Sequence, residues 1–224
     1  MQTLIPPVDE SQLALTVLRP EDGASLTLLD RERDSLLFAF AGSGSLAFAG
    51  ELYGVEAGTA ALVLAGEEAT VAGDGLAVVC ASVGPEVDRH APLGRRETVV
   101  RLDESRSEQA TGARAFQILF GPHNGSTRAT LFAGFIPPGK APWHYHLYDE
   151  IVWVPDGPGR LHIDDTTQDL GAGSAFRLRP REVHIVENAS SDRDMTVIGV
   201  FTPAGSPSAA YLTPDVAAEY RFAG

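Results

Sequence analysis

Residues 151–165, IVWVPDGPGRLHIDD, read as an apolar strand, a turn marked by Pro and Gly, and a second short strand. The pattern occurs once before. Shifted back by 115 positions, it falls on LLFAFAGSGSLAFAG (36–50), with Gly157 on Gly42, Gly159 on Gly44 and Leu161 on Leu46. At the same shift LGAGSAFRLRPR (170–181) falls on VEAGTAALVLAG (55–66), with Ala172 on Ala57, Gly173 on Gly58 and Ala175 on Ala60. Further on, MTVIGVFTP (195–203) resembles LAVVCASVG (76–84) after a small change in length. Two copies of one β unit account for this self-similarity.

Outside the repeat the same rhythm continues. Short apolar runs return every eight to twelve residues or so and end in Gly, Pro or Asp, as in ATLFAGFIPPG (129–139). With 23 Gly and 15 Pro in 224 residues, many turns and short strands are favoured over long helices. The expected fold class is all-β, with one barrel or sandwich per copy. Only PDVAAEY (214–220) has a helical look. The charged stretch between the copies surrounds one apolar pair, Val99-Val100, and reads as a connector holding one edge strand. The expected division is a first barrel over 1–88, the connector over 89–113, a second barrel over 114–205 and a tail over 206–224.

Composition narrows the partners. A formal net charge of −13 repels phosphate backbones and argues against nucleic acid. The start, MQTLIPPVDE, has neither the basic region nor the apolar core of a signal peptide, and no apolar run reaches bilayer length. A cytoplasmic protein without membrane association is the expectation. Open sheet edges need covering, which suggests a homodimer or a role for the tail. The single cysteine, Cys80, lies in an apolar run and reads as a buried, inert thiol.

Chemistry concentrates in APWHYHLYDEIVWVPDG (141–157). On a strand His144 and His146 face the same way, and a turn can bring Glu150 to them. Imidazole and carboxylate suit Mn, Fe, Ni, Zn or Cu as divalent ions. Trp143, Tyr145, Tyr148 and Trp153 read first as packing. Asp149 either orients a ligand imidazole or is an exposed turn residue. His90 and His123 read as loop residues.

A second element follows in GAGSAFRLRPREVHIVEN (171–188). Together the two elements resemble the cupin superfamily. Its first motif matches Gly139, His144, His146, Glu150 and Gly157, with the first spacer one residue short. Its second matches His184 and Asn188, while the proline is displaced to Pro180 and Arg181 stands at the usual glycine. The resemblance implies tandem double-stranded β-helix (jelly-roll) barrels and one divalent metal per chain on His144, His146, Glu150 and His184. The shift of 115 puts Leu29, Arg31, Ser35 and Ala69 at those positions in the first copy. The first barrel is therefore expected to be metal-free.

Three further residues are candidates for catalysis. Arg177 and Arg179 replace Leu62 and Leu64 of the first copy, and either point to solvent or line the cavity, where they would hold an anion. His162 aligns with Ala47 and is either a pocket acid/base or a satisfied histidine elsewhere.

The resemblance spans dioxygenases, decarboxylases, isomerases, lyases and aminohydrolases, and the fold does not choose among them. A metal-dependent enzyme on a small polar or anionic molecule, most simply of dioxygenase type, is the expectation. The alternatives are an aminohydrolase, isomerase or decarboxylase on a small acid, similar to the ureidoglycine aminohydrolases, and a non-catalytic ligand-binding barrel.

Overall fold

The computed structural model describes residues 1–8, 11–21, 23–110 and 113–212. The helical reading of 214–220 lies outside these residues. In the first half the strands are β1 (Gln2–Ile5), β2 (Leu13–Leu18), β3 (Ser25–Leu29), β4 (Asp34–Ala41), β5 (Ser43–Phe48), β6 (Glu51–Glu56), β7 (Thr59–Val63), β8 (Glu68–Ala72) and β9 (Ala77–Val83). Two short strands follow, β10 (Val99–Arg101) and β11 (Glu108–Gln109). The second half has β12 (Ala115–Phe120), β13 (Thr130–Ile136), β14 (His144–His146), β15 (Asp149–Trp153), β16 (Gly159–Ile163), β17 (Thr166–Leu170), β18 (Ala175–Leu178), β19 (His184–Asn188), β20 (Met195–Thr202) and β21 (Ala210–Leu212).

These strands form four sheets, two per half. The six-stranded sheets run β1-β2-β9-β4-β7-β10 and β11-β12-β13-β20-β15-β18. The smaller sheets run β3-β8-β5-β6 and, reversed, β21-β14-β19-β16-β17. Apart from β10, β11 and β21, the two halves have the same strand order. The fold is nearly all-β, as two jelly-roll units. The connector supplies an edge strand to each large sheet, β10 against β7 and β11 against β12, rather than the single one expected.

The repeat register follows from the pairings. Ser35 pairs with Val63 as Glu150 pairs with Leu178, and Phe48 pairs with Ala69 as Ile163 pairs with His184, all at the shift of 115. The shift slips by one at β3, however. His144 pairs with His184, but Ala69 pairs with Leu28 rather than Leu29. Leu28 packs against the first barrel's interior, while Leu29 is 52% exposed. The counterpart of His144 is thus Leu28, still no ligand.

Why the large-sheet strands lack alternation becomes clear from their packing. The two six-stranded sheets share one core. Leu36, Phe38, Leu62, Val79 and Ala81 of the first half meet Leu131, Ile151, Trp153, Ile198 and Val200 of the second. The opposite faces, carrying Leu37, Ala39, Ala61, Val63 and Cys80, or Val152, Leu178 and Val197, fill each barrel. Strands buried on both faces read as continuous apolar runs. Trp153 belongs to the shared core, its ring 4.6 Å from that of Phe40. Cys80 is buried in the first barrel, and burial pushes its thiol up to about 11, as expected of an inert cysteine.

Polar ties cross between the halves as well. Arg128 Nη1 donates to the Glu32 carbonyl at 2.7 Å and lies 3.2 Å from Asp34 Oδ1, both side chains buried. Ser11 Oγ donates to Asp149, so Asp149 neither orients an imidazole nor lies free in a turn. No helix among the described residues is long and apolar enough to cross a membrane.

Candidate metal centre

Neighbouring strands of the second barrel bring the donors together. β14 carries His144 and His146 on one face. Antiparallel pairing sets His184, the first residue of β19, directly opposite His144. Their rings lie 4.5 Å apart, and the His146 and His184 rings 4.9 Å apart. A turn after His146 starts β15, whose pairing with β18 and β20 fixes Glu150 against Leu178 and Phe201. His146, Glu150 and His184 are buried and His144 is half-buried.

One hydrogen-bond pattern recurs at all three histidines. Nδ1 of His144 lies 2.9 Å from the Pro142 carbonyl, Nδ1 of His146 lies 3.0 Å from that of Tyr148, and Nδ1 of His184 lies 2.9 Å from that of Glu182. A carbonyl can only accept, so each Nδ1 carries the proton and, in the neutral ring, each Nε2 keeps a lone pair. Burial pulls the His144 imidazole down to about 4 and the His184 imidazole down to about 3, so both are neutral at pH 7.

Among the described residues no group of three or more His, Cys, Asp or Glu is already set as a cage for a metal ion. The donors nonetheless fit one. His146 Nε2 lies 2.8 Å from Glu150 Oε2, yet it is sealed from solvent and has no hydrogen-bond partner. In the neutral ring lone pair therefore faces lone pair, which is costly in a buried site unless a cation stands between them. Three neutral imidazole nitrogens and one carboxylate suit a borderline divalent ion.

Around the donors lies a cavity of about 100 Å³. Phe116, Phe132, Ile136, Val152, Leu178 and Val197 supply most of its apolar wall. Tyr148 stacks on His146 at 4.1 Å and 9°, and on Phe201 at 4.1 Å and 24°, fixing the imidazole plane by packing. Burial pushes the Tyr148 phenol up, so it stays protonated. Gly199 leaves room for two of the lining side chains: a Cβ there would fall 2.4 Å from Phe132 Cζ and 2.9 Å from Glu150 Oε1.

Three sequence candidates are corrected. Leu178 faces the cavity, so its neighbours on either side point away. Arg177 pairs with Ile151 and turns to the first half, where Nη2 donates to the Leu13 carbonyl at 2.8 Å. Arg179 lies beyond the end of β18 and is exposed. His162 is on the outer face of its sheet, opposite Leu161. Its Nε2 lies 2.6 Å from Glu187 Oε2 and its Nδ1 3.0 Å from Thr167 Oγ1. It is a satisfied histidine and does not line the cavity. The carboxylate of Glu187 is held below its ordinary range despite the opposing cost of burial, chiefly by His162, with Lys140 and Arg160 adding to it.

The cavity's cation is a residue the sequence reading passed over, Arg114, just before β12. Its only signal was an isolated arginine ahead of the apolar run AFQILF. Burial pulls its guanidinium down from the usual range, and the nearby charge of Glu150 pushes it back up.

Comparisons with known proteins agree with this architecture. Residues 133–201, which contain all four donors, match the family model described as the cupin domain. No curated protein matches the sequence. Among solved structures, a point mutant of Bacillus subtilis oxalate decarboxylase aligns with a TM-score of 0.72 at 13% identity, covering 93% of this chain and 75% of that one. AerE from Microcystis aeruginosa aligns with a TM-score of 0.66 at 17% identity, over 85% and 86% of the two chains. An iolb-like protein from Salmonella typhimurium gives 0.66 at 15% identity, over 91% and 88%. A further structure of the Bacillus enzyme concerns its Mn(II) centres.

Proposed function

We propose, from the premise that this chain is a two-barrel cupin, that its second barrel is a metal-dependent enzyme centre for a small organic anion, with dioxygenase-type chemistry as the reaction. The observation that carries the reading is the convergence of three Nε2 lone pairs and Glu150 on one apolar cavity, with His146 Nε2 left without a partner. A divalent ion bound there would supply Lewis acidity and, where redox-active, a path for electrons to dioxygen.

The chain's own residues do the rest. Carbonyl acceptors hold the three imidazoles in one tautomer. Tyr148 fixes the plane of His146. The aromatic and branched walls keep bulk water from the reacting atoms. Hydrolysis needs a placed water and a base to activate it. Glu150, the one carboxylate among the described lining residues, is already committed to the donor set. That weighs against the aminohydrolase alternative. A small-acid decarboxylase is the second reading, favoured by the fold likeness to oxalate decarboxylase together with Arg114 in the cavity. A non-catalytic pocket has less use for a buried Glu150.

Elemental analysis of the purified protein is the first test, with about one divalent ion per chain expected. H146A and E150A should each remove it. Oxygen consumption and carbon dioxide release are then followed over a panel of small aromatic, aliphatic and ureido acids. Oxygen uptake that depends on the bound ion supports the dioxygenase. Carbon dioxide release without net oxygen uptake replaces it with the decarboxylase. Metal-free protein that cannot be loaded with any divalent ion ends both readings.

A further inference from the structure

We infer that Arg114 is a carboxylate-binding residue of this cavity, and that it selects small carboxylates with a compact apolar body; the inference rests on the metal-centre reading above. Arg114 reaches across the barrel, and its Nη2 donates to the Val186 carbonyl at 2.9 Å. Its Nε is sealed from solvent and has no partner among the described residues. A guanidinium has five N–H donors in a planar fork that matches a carboxylate. One edge of this fork is anchored on that carbonyl, and the side chain lines the cavity. Leaving a buried donor unpaired is costly, and a bound acceptor removes that cost.

Charge balance points to the same occupant. An imidazole that ligates a metal is neutral and adds no charge. Without an ion, Arg114 and Glu150 balance each other. A divalent ion on the donor set outweighs the single charge of Glu150 and leaves the cavity with a net positive charge, to which Arg114 adds in apolar surroundings. Such a charge is stable only with a counter-anion.

Position and size narrow the class. Arg114 and His144 line both the inner cavity and an adjoining recess of about 50 Å³, whose walls include Pro142, Pro207 and Ser208. The guanidinium thus stands where the two spaces meet. The inner cavity, at about 100 Å³, has room for a handful of heavy atoms, and its remaining wall is apolar.

Calorimetric titration of Mn(II)-loaded protein with sodium isobutyrate and with isobutyramide tests this. Isobutyrate should bind and the isosteric amide should bind about tenfold or more weakly, the scale of a charge-assisted hydrogen bond. R114Q should weaken isobutyrate about tenfold or more. It should bind Mn(II) at least as tightly as the parent, because a cation near the ion has gone. R114K should retain part of the isobutyrate affinity, and serves if R114Q fails a melting control. Equal affinity for acid and amide, or unchanged affinity in R114Q, overturns the inference. If the parent takes up neither Mn(II) nor any other divalent ion, the metal reading fails by itself. Arg114 is then judged in metal-free E150Q, where the competing carboxylate is gone. Isobutyrate binding there that is lost in the R114Q/E150Q double variant sustains the role, and no binding in E150Q rejects it.

Discussion

At the scale of single residues, the placing of His144 and His146 on one face was legible because it depends on residue type and short spacing. His-x-His places two imidazoles on one strand face whatever the surroundings. The role of Arg181 was not legible. The usual glycine position carries an arginine at φ 68°, so the turn keeps its left-handed shape at some strain, while the Arg181 N–H donates to the His146 carbonyl at 2.7 Å. Because the Arg181 side chain is exposed, R181G should relieve that strain. It should stabilise the protein by about 1 kcal/mol, raising the melting temperature by roughly 2–4 °C, with metal content unchanged. Differential scanning calorimetry with elemental analysis checks both.

The imidazoles also set a pH dependence. His144 and His184 titrate near 4 and 3 in the fold, but near 6.5 when unfolded. The unfolded chain therefore takes up protons first as pH falls. Stability should be full above about 6.5 and decline towards 4, with a slope approaching two protons, or roughly 2.7 kcal/mol per pH unit. Urea midpoints of metal-free protein against pH, compared with H144A/H184A, would show it. A flat profile in the parent between pH 6.5 and 4 would contradict the burial of these rings.

At the scale of elements, β14 is the informative case. It has only three residues, and β19 pairs with it at a single position, His144 to His184. Its other edge is covered by β21, with Tyr145 against Tyr211, the rings stacked at 5.4 Å. Sequence left open whether the tail covers an edge. The fold uses it to brace the strand that bears two donors, and Pro207 and Ala210 wall the cavity beside them. Removing residues 206–224 should speed release of a bound divalent ion several-fold while leaving one cooperative melting transition. Chelator-chase kinetics measure the first and calorimetry the second. An unchanged release rate would show that β21 is not part of the wall. The one-residue slip at β3 belongs to this scale too. A short edge strand has little to pin its register, so an ungapped sequence shift failed there and held in the central strands.

At the scale of the whole molecule, the two halves share a core and are not independent. Separating them would expose Leu131, Ile151, Trp153, Ile198 and Val200 on one side and Leu36, Phe38 and Leu62 on the other. Unfolding should therefore give one calorimetric transition. D34A should destabilise the entire protein by about 3–5 kcal/mol, because it leaves Arg128 buried without its carboxylate. Two separable transitions, or a D34A effect confined to one of two, would refute the shared core.

The sequence by itself determined the β repeat and the placing of His144 and His146 on one strand face, and its resemblance to the cupins grouped Glu150 and His184 with them. The repeat and the pair rest on local spacing, strand period and residue type, which survive any arrangement of the halves. Only the tertiary structure decided which face of each large-sheet strand meets the cavity. Where both faces are apolar the period-two pattern is silent, and so Arg177 could not be assigned a side until Leu178 was seen beside Glu150. For the same reason the cavity's cation, Arg114, emerged only once the barrel closed: it reaches the Val186 carbonyl 72 positions away in the chain, a contact no local pattern encodes.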